Sequence, residues 1–204
     1  MKNIISEKGL ERLTFFSDAV VAIALTLLII PLTDLAIEYN SLKESISVFI
    51  LLKENLSTVA AFTLSFIVIM KLWSAHRRLF ECIVLADGFV ARLNTFWLLT
   101  IVCIPFATQA VAGKYLRENI LFYIALLFVN MLLLQCIYAH IIKYEEALEK
   151  TEVSFHHRWV TFITLIVIVI IIIIVPSENA LYAFFLLFID EPIVDFVKSR
   201  LQKK

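Results

Sequence analysis

Six times along this chain an apolar run reaches the length needed to cross a membrane, and nothing constrains its fold more. About 30 Å of hydrocarbon takes roughly 20 helical residues. Such runs fall at about 13–33, 56–76, 93–112, 119–142, 159–176 and 179–198. Inside lipid every backbone N–H and C=O must find its partner within the segment, so runs of this kind fold as helices. A soluble domain could not hide them, because 61% of the 204 residues are apolar, against roughly 45–50% in ordinary domains. The expected fold is an all-α membrane protein with six transmembrane helices per subunit, residues 1–204 forming one domain.

The first run is expected to be a retained span and not a cleaved leader. Glu7 and Glu11 spoil a basic n-region, and no small-residue cleavage site follows Leu32. The fifth run, Trp159 to Val175, is nearly pure Ile and Val and is expected to meet lipid. The sixth is interrupted by Asp190, Glu191 and Pro192. Orientation follows from the Lys and Arg asymmetry of the short loops. With both ends on one side, that side holds fourteen of the eighteen Lys and Arg, leaving Lys43, Lys53, Lys114 and Arg117 on the other. Both termini are therefore expected in the cytoplasm. No loop is long enough to hold a domain, so function must reside in the membrane part.

Several chemistries are excluded at once. Only Gly9, Gly88 and Gly113 occur, so there is no Gly-rich phosphate loop and no dinucleotide fingerprint. The glycine-dependent carbonyl filter of ordinary potassium channels, a TVGYG-like segment, is absent too. Cys82, Cys103 and Cys136 show neither a CxxC nor a Cys/His spacing, and are read as small packing residues. No metal site and no cofactor is expected. No nucleophile sits with a base and no HExxH occurs, so no enzyme is expected. Eighteen basic residues balance eighteen acidic ones, which offers nothing to nucleic acid.

Helix one carries the unusual chemistry. Asp18 lies about 9 Å along the helix from Arg12, inside the apolar zone. A carboxylate there costs roughly 2.5–3.5 kcal/mol on insertion scales, so it needs a partner or a wet cavity. His76 at the end of the second span and Asn94 at the start of the third lie at similar depth. The expected cluster is Ser17, Asp18, His76 and Asn94. Two roles compete for it: a proton relay, since His titrates near neutrality, or a clamp of interhelical hydrogen bonds. The clamp is the preferred reading. On a helical wheel Ile23, Thr26, Leu27 and Ile30 form one stripe, and Asp18 sits roughly 140° from its centre. From the pattern alone that stripe reads as lipid contact or helix packing.

One family has this arrangement. Arg12, Phe16-Ser17-Asp18 and Ala22-Ile23-Ala24-Leu25-Thr26-Leu27-Leu28 resemble the first-helix signature of the transmembrane protein 175 family, potassium channels without a P-loop. Phe62, Ser65-Phe66, Trp73, His76 and Phe80 on the second span are similar, as are Leu93-Asn94, Pro105-Phe106 and Thr108 on the third. Ala19, where a glycine is common, and Pro31, where family helices run on, are departures. The resemblance implies a homotetramer of the prokaryotic, single-unit kind in the plasma membrane, with potassium as permeant ion. Helix one would line a central pore, with Ile23, Thr26, Leu27 and Ile30 facing it. Ile23 would form the tightest apolar ring and Thr26 a hydroxyl ring. Arg12, Ser17, Asp18, His76 and Asn94 would form a structural polar network behind the pore. Pro31 would stop or kink the outer end.

An apolar ring gates by dewetting and makes an ion shed part of its hydration shell. Potassium holds water less strongly than sodium, so the expected preference is moderate. The alternative is a proton-coupled secondary transporter with Asp18 and His76 as the titrating pair. Against it, no inverted repeat or glycine-broken helix pair is visible. Among the remaining polar residues, Asn130 and His140 read as interhelical bonding or interfacial groups, and Thr108 and Gln109 as boundary residues. Tyr115, Tyr123 and Tyr182 read as outer-side anchors, and His156-His157-Arg158-Trp159 as a basic interface anchor and not a metal site.

Overall fold

In the computed structural model the chain is described over residues 4–41, 47–113 and 117–143. The expected fifth and sixth spans lie outside the described residues. Ser6 starts the first helix: extended at its backbone, it accepts from the Gly9 amide at 3.2 Å, with Glu7 in the first turn facing the positive helix end. That helix, α1 (Glu7–Leu27), is followed by α2 (Ile30–Ser41). Pro31 explains the interruption. It has no N–H for the Leu27 carbonyl, so the ladder must break before it. The amides of Leu28 and Ile29 turn to Thr26 O, and those of Leu32 and Thr33 turn to Ile29 O. Together α1 and α2 still provide a span from Glu7 to Asn40.

A short helix α3 (Val48–Glu54) leads into α4 (Leu56–Glu81), then α5 (Gly88–Gly113) and α6 (Arg117–Ile142). Four candidate membrane spans result among the described residues, matching the first four expected runs in place. Helix α4 extends beyond its run at its C-terminal end and α5 at its N-terminal end, each by a turn or more. There Arg77, Arg78 and Arg92 lower the hydropathy without breaking the helix.

One feature departs from an all-helical chain. Strands β1 (Ile4–Ile5) and β2 (Ala86–Asp87) pair antiparallel, Ile4 opposite Asp87 and Ile5 opposite Ala86. Each is two residues long, too short to leave a period in the sequence.

Helix α5 lies centrally, touching α1, α4 and α6. Between membrane helices lipid tails are as apolar as Leu, so packing and not water exclusion holds them together, and small residues permit close approach. Ala24, Ala61 and Ala107 sit fully buried at these contacts. Around them Trp97, Ile69, Ile101 and Ile104 form the main core. A second cluster at the N-terminal end joins Leu10, Leu79, Phe80, Ile83, Val90, Ile137 and Ile141. Of the cysteines, Cys136 is exposed, correcting its reading as a packing residue.

Candidate functional site: an exposed stripe backed by a buried polar chain

Helix α1 presents two unlike faces. Leu10, Ser17, Val21 and Ala24 are buried against the bundle. Ile23 and Leu27 are 60% and 38% exposed, and Thr26 is exposed beside them, while Ile30, 43% exposed, lies past the break as the first residue of α2. The four stripe residues are thus uncovered in the single chain. Its chemistry is poor in oxygen. The Thr26 hydroxyl donates to its own Ile23 carbonyl at 2.7 Å, leaving only its lone pairs to face outward.

Behind the stripe runs a chain of hydrogen bonds across three helices. The Ser17 hydroxyl donates to the Leu13 carbonyl at 2.8 Å, so it accepts from Asn94 Nδ2, also at 2.8 Å. That leaves Asn94 Oδ1 as the acceptor, 2.7 Å from His76 Nε2. The direction of the chain then assigns the imidazole: Nε2 carries the proton and Nδ1 is the bare nitrogen. Nδ1 is buried and has no hydrogen-bond partner among the described residues. The ring is stacked between Phe80 and Trp97, 4.1 Å from each. A second proton on Nδ1 would be buried without an acceptor, which costs free energy. The geometry is that of an interhelical clamp.

Asp18 does not pair with His76. Its carboxylate accepts from Trp73 Nε1 at 2.7 Å, and Arg77 lies over the Trp73 ring at 5.2 Å. Trp73 thus ties α1 to α4 with its edge and carries a cation on its face. Sequence reasoning used Trp73 only as a motif residue and missed it as the donor. An indole N–H one helical turn before His76 was the available signal. Arg12 is exposed, and among the described residues no hydrogen bond or ion pair joins it to this network. Replacing Trp73 with Phe removes the donor while keeping the ring. A hydrogen bond to a charged group is worth about 1.5–3 kcal/mol, and unfolding of Trp73→Phe in detergent should show a loss of that size. A loss below about 0.5 kcal/mol, the range of an uninvolved surface change, would make the contact incidental.

Two further polar sets cross the core. Thr108 donates to the Ile104 carbonyl at 2.8 Å, so it accepts from Ser65 Oγ, also 2.8 Å away, and Tyr123 Oη donates to Ser65 Oγ at 3.1 Å, all three residues being buried. Thr108 is therefore not a boundary residue, nor Tyr123 an interfacial anchor. Burial in the bundle leaves their hydroxyls to bond one another. Gln109 is exposed, while Tyr115, Tyr182 and residues 156–159 lie outside the described residues. Asn130 donates to Thr100 Oγ1 at 2.6 Å, joining α6 to α5 as an interhelical bond. His140 bonds Asp87 at 3.0 Å, at the helix ends. Burial pushes the Asp87 carboxyl up, but the His140 hydrogen bond, the Val90 and Phe89 amides and the His140 charge outweigh it. The carboxyl is held below the usual carboxylate range. The stability Asp87 contributes is thus present above that range and lost as pH falls through its lower value. Among the described residues no group of three or more His, Cys, Asp or Glu could hold a metal.

Residues 12–105 match the family model described as "Endosomal/lysosomal potassium channel TMEM175". That stretch contains the stripe and every member of the polar chain. Over 108 residues the chain is 31% identical to an endosomal/lysosomal proton channel TMEM175 of Danio rerio, covering 52% of this chain and 20% of that protein. It is 32% identical over 108 residues to a potassium channel of Streptomyces collinus, covering 53% of this chain and 50% of that one. The chain thus spans half or less of the curated relatives it matches. The fold is that of a solved TMEM175 homologue from Chamaesiphon minutus, described as a lysosomal potassium-selective channel homologue. The TM-score is 0.70 at 20% identity, over 90% of this chain and 96% of that one.

Proposed function

From the match of residues 12–105 to the TMEM175 family model, we propose that this multi-pass membrane protein belongs to that family and is a potassium-permeable cation channel. Four copies would bring their first helices together, Ile23 forming an aliphatic constriction with Thr26, Leu27 and Ile30 above it. The observation that carries this reading is the uncovered apolar stripe on α1 backed by a buried polar chain on the same helix. A helix held rigidly on one side can present a narrow ring on the other. The stripe has no charged side chain and few free oxygens, so selection rests on dehydration, and the preference for potassium over sodium is moderate. The bacterial relative is matched over a larger share of its length than the animal one (50% against 20%). By that likeness the proposed channel is of the prokaryotic kind, in the plasma membrane.

The names of the animal relatives favour a second permeant ion, the proton. Against the rival transporter reading, Asp18 and His76 do not bond each other but have separate hydrogen-bond partners, Trp73 and Asn94.

The test is flux from proteoliposomes loaded with potassium, read by a pH-sensitive dye with a proton ionophore present. Potassium-loaded vesicles should respond faster than sodium-loaded ones. Dye response without ionophore would show proton permeation. Flux that saturates and requires a proton gradient would replace the channel with the transporter.

A further inference from the structure

The N-terminal end of the molecule holds a construction that the proposed pore does not use. Strand β1 pairs with β2, and one residue, Ser6, separates β1 from the start of α1. The chain returns tightly enough that a Cβ on Gly9 would meet Ile5 Cγ2 at 2.6 Å. On the other side of the pairing Asp87 serves three elements at once. It belongs to β2, its Oδ1 accepts from the amides of Phe89 and Val90 at 3.1 Å each at the start of α5, and its Oδ2 is 3.0 Å from His140 Nε2 on α6. Phe89 lies against the His140 ring, centroids 4.6 Å apart, with Arg92 over Phe89 at 5.9 Å. Asp87 and His140 are both largely shielded, 17% and 22% exposed.

We propose that Asp87 and His140 are positioning residues of a pH-sensitive clasp that holds the start of helix one. The inference rests on the channel reading only for its effect on flux. With His140 protonated the bond to Asp87 is charge-assisted, roughly twice as strong as its neutral counterpart. Loss of that proton removes the charge assistance and loosens the clasp. Because β1 leads into α1 through one residue, loosening the strand frees the end of the helix that carries Ile23.

Other ionisable groups stand near this end. Helix α5 brings Arg92, α6 brings Tyr138 and Lys143, α4 brings Arg78 and Glu81, and α1 brings Glu7, Lys8 and Glu11. Glu81 is engaged by Arg77 at 3.5 Å, and among the described residues His140 is the charge that acts on Asp87.

The experiment follows hydrogen exchange of the Ile4–Ser6 amides in proteoliposomes, corrected for intrinsic exchange, from pH 5.5 to 8. Potassium flux is measured over the same range with pH varied on each face in turn. The native chain should lose amide protection with rising pH by roughly fivefold, the lower end of typical coupling between sites. Flux should rise in step and respond to pH on one face only. His140→Gln keeps a donor but cannot titrate, and Asp87→Asn keeps the cap but not the charge; each should flatten both profiles. Protection that does not vary with pH, or that varies unchanged in His140→Gln, overturns the clasp. Protection that varies while an Ile23-sensitive flux stays flat overturns the positioning role. Absence of flux from every vesicle would fail the channel reading, and the exchange profile alone would then decide the clasp.

Discussion

Replacing Ile23 with Asn should raise potassium flux about tenfold, equivalent to roughly 1.4 kcal/mol off the barrier, and bring sodium flux close to potassium flux. The side chain is 60% exposed in the single chain, so the substitution removes nothing from the subunit core. What it would change is the proposed ring. Four aliphatic side chains there would offer water no hydrogen bonds, so the constriction would dewet and an ion would have to cross partly bare. Amide groups at the same position hold water and replace lost hydration for either ion, which lowers the barrier and removes the basis of selection. Ile23→Val separates this account from one of width alone. Val is smaller but still apolar, so the Val ring should keep its preference for potassium. If Val and Asn raised flux alike, dewetting would not be the barrier. If neither altered flux or preference, Ile23 would not be the constriction.

Asn94→Leu should cost about 2–4 kcal/mol of stability, since two buried partners each lose a bond worth roughly 1–2 kcal/mol net or more when orphaned. Leu fills similar volume, so the loss reports the polar chain and not a cavity. His76 would keep its Nε2 proton with nothing to receive it, stacked between Phe80 and Trp97. Ser17 would lose its donor and keep only its own-helix bond to Leu13. Denaturant unfolding in detergent measures the change, with Gln109→Leu as an exposed control expected within about 0.5 kcal/mol. A cost for Asn94→Leu no larger than the control's would mean the chain is not a clamp.

Much of this site could be read before any coordinates. The first four spans lay where hydropathy put them, because a membrane leaves a helix of about 20 apolar residues as the simplest solution. The wheel set Asp18 away from Ile23, Thr26 and Leu27, since 100° per residue holds inside an unbroken helix, while Ile30 lies past the break, in α2. Ser17, His76 and Asn94 were grouped on depth alone and do bond one another. Depth failed for Asp18, whose partner is Trp73, because equal depth does not specify which helix face turns toward which. Thr108 and Tyr123 failed for a related reason: a hydroxyl near a span end looks interfacial until a neighbouring helix covers it. Strands β1 and β2 were invisible, as two residues each carry no periodic signal.

The sequence by itself determined that the chain spans a membrane, where helix one lies and which of its residues share a face. Those are properties of length, composition and local period, which the bilayer enforces one segment at a time. Only the tertiary structure decided who meets whom. It sent Trp73 to Asp18, gave Ser65 to Thr108 and Tyr123, and brought Asp87 from the α4–α5 connection to His140 and β1. Such pairings depend on the rotation and crossing of packed helices, and each is set by the shapes of all the others.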